Sequence, residues 1–252
     1  DVAPGPGRRL LLLAASRGDL DTDTWHLVRL MAIVFVGAAL VTLIVGWLRE
    51  LIPRRAPWSG LVEGLPPGVD AAVDLTAHDE PTGWWRLDAA ITLDDERADV
   101  PRVGVVATLP ASFDRLEWLG DGPHECYPDR RAAAMVGRWR SSVADQYVPY
   151  AFPQEHGHHT GLRWLAVTDP AHRLGLLVVA DEPGALGWSV RHHDDAELFA
   201  ATHVDGLTPL DRPRHTLLAL DAHQRGLGTA SCGPDTLERY RQRYRLYRSD
   251  PD

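Results

Sequence analysis

From Ala71 onward the chain is written as short apolar–polar alternations cut by proline and glycine, and this punctuation limits the fold more than any other feature. Trp85, Leu87, Ala89, Ile91 and Leu93 fall on every second residue, the period of a strand with one buried face. Val73 and Leu75 belong to an earlier run of the same kind. Val103–Leu109 is another, closed by Pro110. Leu116–Leu119, Leu162–Val167, Leu174–Ala180, Leu186–Val190 and Thr216–Leu220 follow, separated by Asp-Pro, Pro-Gly and His-Asp turns. Many short strands with turn signals between them predict a mainly β fold, a large antiparallel two-sheet β-sandwich. Ala132–Trp139 and Asp194–Thr202 read as short helices.

The part before Ala71 has a different character. Residues 1–24 read as an N-terminal tail, Pro/Gly/Arg-rich and then apolar, with Leu10–Leu13 too short for a signal-peptide core. Leu30–Leu48 carries no charge, and Thr42 is its one hydroxyl. As a helix it would measure about 28 Å, close to the ~30 Å hydrocarbon core of a bilayer. Trp25 and Trp47 stand near its ends, where interfacial aromatics belong. Residues 25–52 are therefore predicted as an apolar, membrane-spanning helix preceding the sandwich. Arg49, Arg54 and Arg55 follow it, which would leave the remainder on the cytoplasmic side, anchored to the inner face of the membrane. Residues 53–70, rich in Pro and Gly, read as a linker, and residues 71–249 as the sandwich domain.

Composition removes some functions. A net charge of −9 makes nucleic acid an unsuitable partner. The chain has no asparagine, so it offers no N-glycosylation acceptor. Two cysteines, Cys126 and Cys232, make a poor disulfide framework and suit a reducing compartment, although sequence alone leaves a bridge between them open.

Chemistry concentrates between Leu116 and Gly161. Gly120, Gly122 and Pro123 break the Leu116–Leu119 strand into a turn that presents His124, Glu125, Tyr127, Asp129 and Arg130. Pro149 and Pro153 bracket a second turn with Gln154, Glu155 and His156. These are either the lining of a polar cleft or ordinary solvated surface turns. The histidines His156, His158, His159, His192 and His193, with Asp194 and Asp195, could ligate zinc, but no Cys-x-x-Cys or His-Glu-x-x-His spacing is present, and no metal site is expected.

Three blocks resemble the C-terminal domain, or small chain, of the lacZ-type β-galactosidases of glycoside hydrolase family 2. The first is Trp118–Arg130, which matches Trp-x-Gly-x-Gly-Pro-x-Glu-x-Tyr-x-Asp-Arg. The second is Pro153–Gly157 followed by Arg163-Trp164, similar to Pro-Gln-Glu-Asn-Gly and Arg-Trp. The third is Asp221–Pro234, similar to Gln-x-Gly-x-Gly and Ser-Trp-Gly-Pro. The resemblance runs from about Trp84 to Tyr247 and does not reach the apolar segment.

The resemblance implies the supersandwich shared with galactose mutarotases. It also implies hydrolysis of terminal β-D-galactosides of the lactose type, with both catalytic glutamates on a separate (β/α)8 barrel. None of Glu117, Glu125, Asp129 or Glu155 is then expected to be catalytic. Glu125 and Glu155 are expected instead to pair with Arg130 or Arg163, or to accept loop N–H bonds. The chain would work with a large catalytic chain, or as a homo-oligomer. It would carry no cofactor, the magnesium and sodium of the family belonging to the catalytic part. Substrate contact would fall to Ser231, Cys232, His124 and Glu125. Cys232 stands where the family has a tryptophan lining the leaving-group side of the sugar site. Trp118, Tyr127, Asp129, Arg130, Gln154, Glu155, His156, Arg163 and Trp164 would frame or line the cleft. Trp118, Trp164 and Trp188 are either sugar-stacking platforms or core residues. Two other functions stay open at this point. One is a membrane-tethered, non-catalytic carbohydrate-binding or interaction module. The other is a mutarotase-like epimerase using His124 or His156 with Glu125 or Glu155.

Overall fold

The computed structural model describes residues 9–16, 58–63, 71–79, 84–93, 99–229 and 232–241. Among the described residues, twelve strands form two antiparallel sheets. They are β1 (Arg9–Ser16), β2 (Trp58–Glu63), β3 (Ala71–Asp79), β4 (Trp85–Leu93), β5 (Arg102–Pro110), β6 (Arg115–Gly122), β7 (Met135–Ser142), β8 (His159–Leu162), β9 (Trp164–Asp169), β10 (Leu174–Ala180), β11 (Leu186–Arg191) and β12 (His215–Gln224). The larger sheet runs β3-β4-β1-β10-β9-β6-β7 and the smaller β2-β5-β12-β11-β8.

The core is the apolar half of the alternation. Leu87, Leu116, Trp118, Leu165, Val167, Leu176 and Val178 of the larger sheet belong to one buried cluster with Val105, Leu162, Trp188, Val190, Leu218 and Leu220 of the smaller. Leu165 and Val167 are fully buried while Trp164 and Ala166 are only half-buried, as a period of two requires. Trp118 packs edge-on to Trp188 at 5.2 Å, and its indole N–H donates to the Asp121 carbonyl at 3.1 Å. Both indoles lie inside the sandwich, so neither is a sugar platform.

The expected strands form, with instructive differences. The Leu162–Val167 run is two strands, not one. The chain leaves the smaller sheet at Leu162, turns at Arg163, and enters the larger sheet at Trp164. Ala132–Trp139, expected as a helix, gives strand β7 instead, because Met135–Ser142 pairs along the whole of β6 and local helix preference yields to that pairing. The helix expected at Asp194–Thr202 is α1 (Asp195–Ala200), capped by Asp194, whose carboxylate accepts the Glu197 N–H at 2.7 Å.

Two strands lie before Ala71. The stretch read as a tail supplies β1, which lies inside the larger sheet between β4 and β10. The stretch read as a linker supplies β2, paired with β5. The apolar run Leu30–Leu48 lies outside the described residues, and among those described no helix is long and apolar enough to cross a membrane.

Candidate functional site

The three sequence blocks meet around the turn that follows β6. Glu125 ties the first block to the second. It pairs with Arg130, accepts the Tyr150 hydroxyl, and accepts the backbone N–H of Gly157 at 2.7 Å. The Arg130 guanidinium lies 5.1 Å above the Tyr127 ring and also donates to the Tyr150 hydroxyl at 3.3 Å. The Cys126 N–H donates to the His158 carbonyl at 2.7 Å. Asp129 ties the first block to the third, accepting the N–H groups of Leu227 at 3.1 Å and Gly228 at 2.7 Å.

Beneath these turns lies a buried ionic cluster. Arg102 is wholly buried and grips Asp221 through two bonds, Nε to Oδ1 at 2.8 Å and Nη2 to Oδ2 at 3.2 Å. It also donates to the Ser189 hydroxyl at 3.0 Å. His158 Nδ1 lies 3.2 Å from Asp221 Oδ2 and its ring stacks on Tyr127 at 5.2 Å. Glu155 closes the cluster from above, accepting from Arg191 at 3.2 Å and, at longer range, from Arg102 and the Tyr127 hydroxyl at 3.5 Å each. Arg191 also pairs with Asp195 of α1.

Burial raises the Asp221 carboxyl, but the Arg102 charge and the His158 and Arg102 contacts outweigh it and hold Asp221 well below the usual carboxylate range. Tyr127 is pushed up by burial and then by the Glu155 and Glu125 charges, so it remains a hydroxyl donor. His159 is pushed down to about 3, first by burial and then by its neighbour His158. A neutral His159 stacks on Trp188 at 4.5 Å, with Nε2 2.7 Å from the Gln146 side-chain oxygen and Nδ1 3.3 Å from the Asp121 carbonyl.

The other expected site residues fall as follows. His124 and Gln154 are exposed. His156 is buried, its Nδ1 at 3.0 Å from the Gln154 carbonyl and its ring edge-on to Tyr147. Arg163 donates to the Gly161 carbonyl at 2.8 Å and does not meet Glu125 or Glu155 in any of these contacts. Trp164 is half-buried in β9. Cys232 is an exposed free thiol in a turn whose Thr229 carbonyl accepts the Cys232 N–H at 3.0 Å. Cys126 is a buried free thiol, so the two are unbridged. Ser231 lies outside the described residues.

The histidines do not converge. His192 Nδ1 faces the His215 carbonyl at 2.9 Å and His193 Nε2 the Thr208 carbonyl at 2.8 Å. Among the described residues no three His, Cys, Asp or Glu side chains gather closely enough to hold a metal ion.

Sequence reasoning missed Arg102, Arg191 and Asp221 as site-forming residues. Their signal was present. Each is a charge set against an apolar strand run: Arg102 before Val103, Arg191 after Val190, Asp221 after Leu220. Such charges are almost never fully buried without a partner, so each implied one.

The fold and site define a class: an antiparallel sandwich module whose turn acids serve as ties between loops. The model of the beta-galactosidase small chain matches residues 68–249, and the chain belongs to that family. It is 36% identical over 156 residues to a beta-galactosidase of Arthrobacter sp. (strain B7), covering 60% of this chain and 15% of that protein. It is 28% identical over 179 residues to a beta-galactosidase of Staphylococcus xylosus, covering 71% and 17%. It is 32% identical over 144 residues to a beta-galactosidase of Kluyveromyces lactis, covering 57% and 13%. The matches thus span less than a fifth of the length of these relatives.

Proposed function

We propose that the chain is the small-chain module of a β-galactosidase and that it completes the galactoside site of a separate barrel-bearing chain. The reaction is retaining hydrolysis of terminal β-D-galactosides, which needs two carboxyl groups at the scissile bond. Those groups are supplied by the barrel, together with any magnesium or sodium, and this chain is inactive alone. The observation that carries the reading is the use made of the acids here. Glu125, Asp129 and Glu155 are each engaged with loop N–H groups, arginines or tyrosines, and so act as framework. The module binds the large chain or assembles with further copies of itself, and it has the mutarotase-like supersandwich topology. Its two free thiols suit the cytoplasm.

The tethered-module alternative rests on the composition of Leu30–Leu48, which lies outside the described residues. For an epimerase, among the described residues no hydrogen bond or ion pair joins His124 or His156 to Glu125 or Glu155, and His156 is buried against Gln154 and Tyr147.

The test is hydrolysis of a chromogenic β-galactoside by this chain alone, by a barrel-bearing large chain alone, and by the mixture. Activity that requires the mixture is expected. Activity of this chain alone would refute the assignment of its acids to framework, and a silent mixture would refute the small-chain role.

A further inference from the structure

The third block leaves β12 at Gln224 and doubles back within a dozen residues. Its return arm is well secured. Thr236 Oγ1 donates to the Gly226 carbonyl at 2.7 Å, and Arg225 spans Asp99 and Asp235 at 3.1 and 2.9 Å. The outgoing arm, Gly226–Thr229, is tied to that return arm, its Gly226 N–H donating to the Tyr240 carbonyl at 3.0 Å and its Thr229 N–H to the Pro234 carbonyl at 3.1 Å, and it is held from the first block as well. Its Leu227 and Gly228 N–H groups both point at Asp129, a residue 98 and 99 positions away in sequence. The local sequence is fitted to this contact. A side chain at Gly226 would place its Cβ 2.7 Å from the Asp129 carboxyl carbon. Gly228 has φ +62°, and a Cβ there would lie 2.6 Å from the Thr236 backbone nitrogen.

We propose that Asp129 is a positioning residue: a carboxylate latch that fixes the Gly226–Thr229 arm and, through it, the turn that presents Cys232. Charge-assisted bonds to two successive N–H groups are stronger than neutral ones and fix direction as well as distance. Asp129 is itself held by its neighbours in the chain. Arg130 is locked over Tyr127 and against Glu125, and the Arg130 N–H donates to the Tyr127 carbonyl at 2.8 Å. The first block thus transmits the position of the second to the third. The consequence for substrate rests on the small-chain reading above: a loosened latch weakens galactoside binding and leaves the bond-breaking step intact.

The experiment has two arms. In the first, amide exchange of Leu227 and Gly228 is read by NMR on the full chain for the native protein, Asp129→Asn and Asp129→Ala. Exchange on the order of tenfold faster in both variants is expected, the range set by losing a hydrogen bond to a charged group. The β5 and β12 amides should be unchanged, which also shows that the variants fold. Unchanged exchange at Leu227 and Gly228 would overturn the latch. In the second arm, each variant is mixed with a barrel-bearing chain and assayed on a β-galactoside. A raised KM with kcat held within about twofold supports positioning. A fall in kcat with KM unchanged, or no change in either, would overturn it. If the native mixture is silent, the small-chain reading fails and the exchange arm still decides whether the latch exists.

Discussion

Two carboxylates thirty residues apart in the same pair of turns, Glu125 and Glu155, do similar work in opposite surroundings. Glu125 faces outward, to a half-exposed Arg130 and the Tyr150 hydroxyl, and it holds one backbone N–H of the facing turn. Glu155 faces inward, to Arg102 and Arg191, which are 0% and 4% exposed. The outer knot connects loops to loops. The inner cluster connects a loop to the sandwich itself, because Arg102 begins β5, Arg191 ends β11 and Asp221 lies on β12. Ionic contacts in water contribute little, whereas removing one member of a buried set leaves its partner charged and unmatched. The inner cluster should therefore govern stability, and the outer knot should govern where the turns sit.

The largest effect is expected at Asp221. Asp221→Ala leaves Arg102 buried beside Ser189 without its main counter-charge and should cost about 3–5 kcal/mol in urea unfolding. A loss below about 1 kcal/mol would remove the distinction between the two regions.

The next effect is in pH. His159, His156 and His192 are all lowered, in each case chiefly by burial, His159 to about 3. A folded pKa below the ordinary 6.5 means that the unfolded chain takes up the proton first. Stability is then complete above about pH 6.5 and declines as pH falls towards 3, by up to about 1.4 kcal/mol per pH unit for His159. Urea midpoints at pH 7.5 and 5.5 check this, and equal midpoints would contradict it.

Glu125→Gln keeps an acceptor for one donor and loses the charge, so about 1 kcal/mol is expected. Faster amide exchange should be confined to Gly157 and its neighbours. Exchange that spreads into β6 and β9 would show the outer knot to be part of the core. The smallest effect is expected at Arg140, 68% exposed and 3.1 Å from Glu117, where Arg140→Ala should cost less than about 0.5 kcal/mol.

The same division explains what could be read from sequence. β4 begins and ends where its alternation does, and β10 where its continuous apolar run does. The outer turns were legible because Gly, Pro and a dense set of polar residues occur together in them. β7 was not, since Ala132–Trp139 carries no strong alternation and becomes a strand only by pairing with β6. β1 and β2 were not, because their partners lie far along the chain at β4, β10 and β5. Which partner each inner-cluster charge takes was hidden for the same reason: Arg102 and Asp221 are 119 residues apart, and spacing cannot reveal such a pair.

The central claim is that the acids of these turns frame a site whose chemistry is done elsewhere. The most direct measurement is kcat on a chromogenic β-galactoside for Glu125→Gln and Glu155→Gln, each assembled with a barrel-bearing chain. The framework account expects kcat to remain within about tenfold of the native assembly, with the larger change in KM or in assembly. A loss of about a thousandfold or more in kcat for either variant, with assembly intact, would make that residue catalytic and contradict the account.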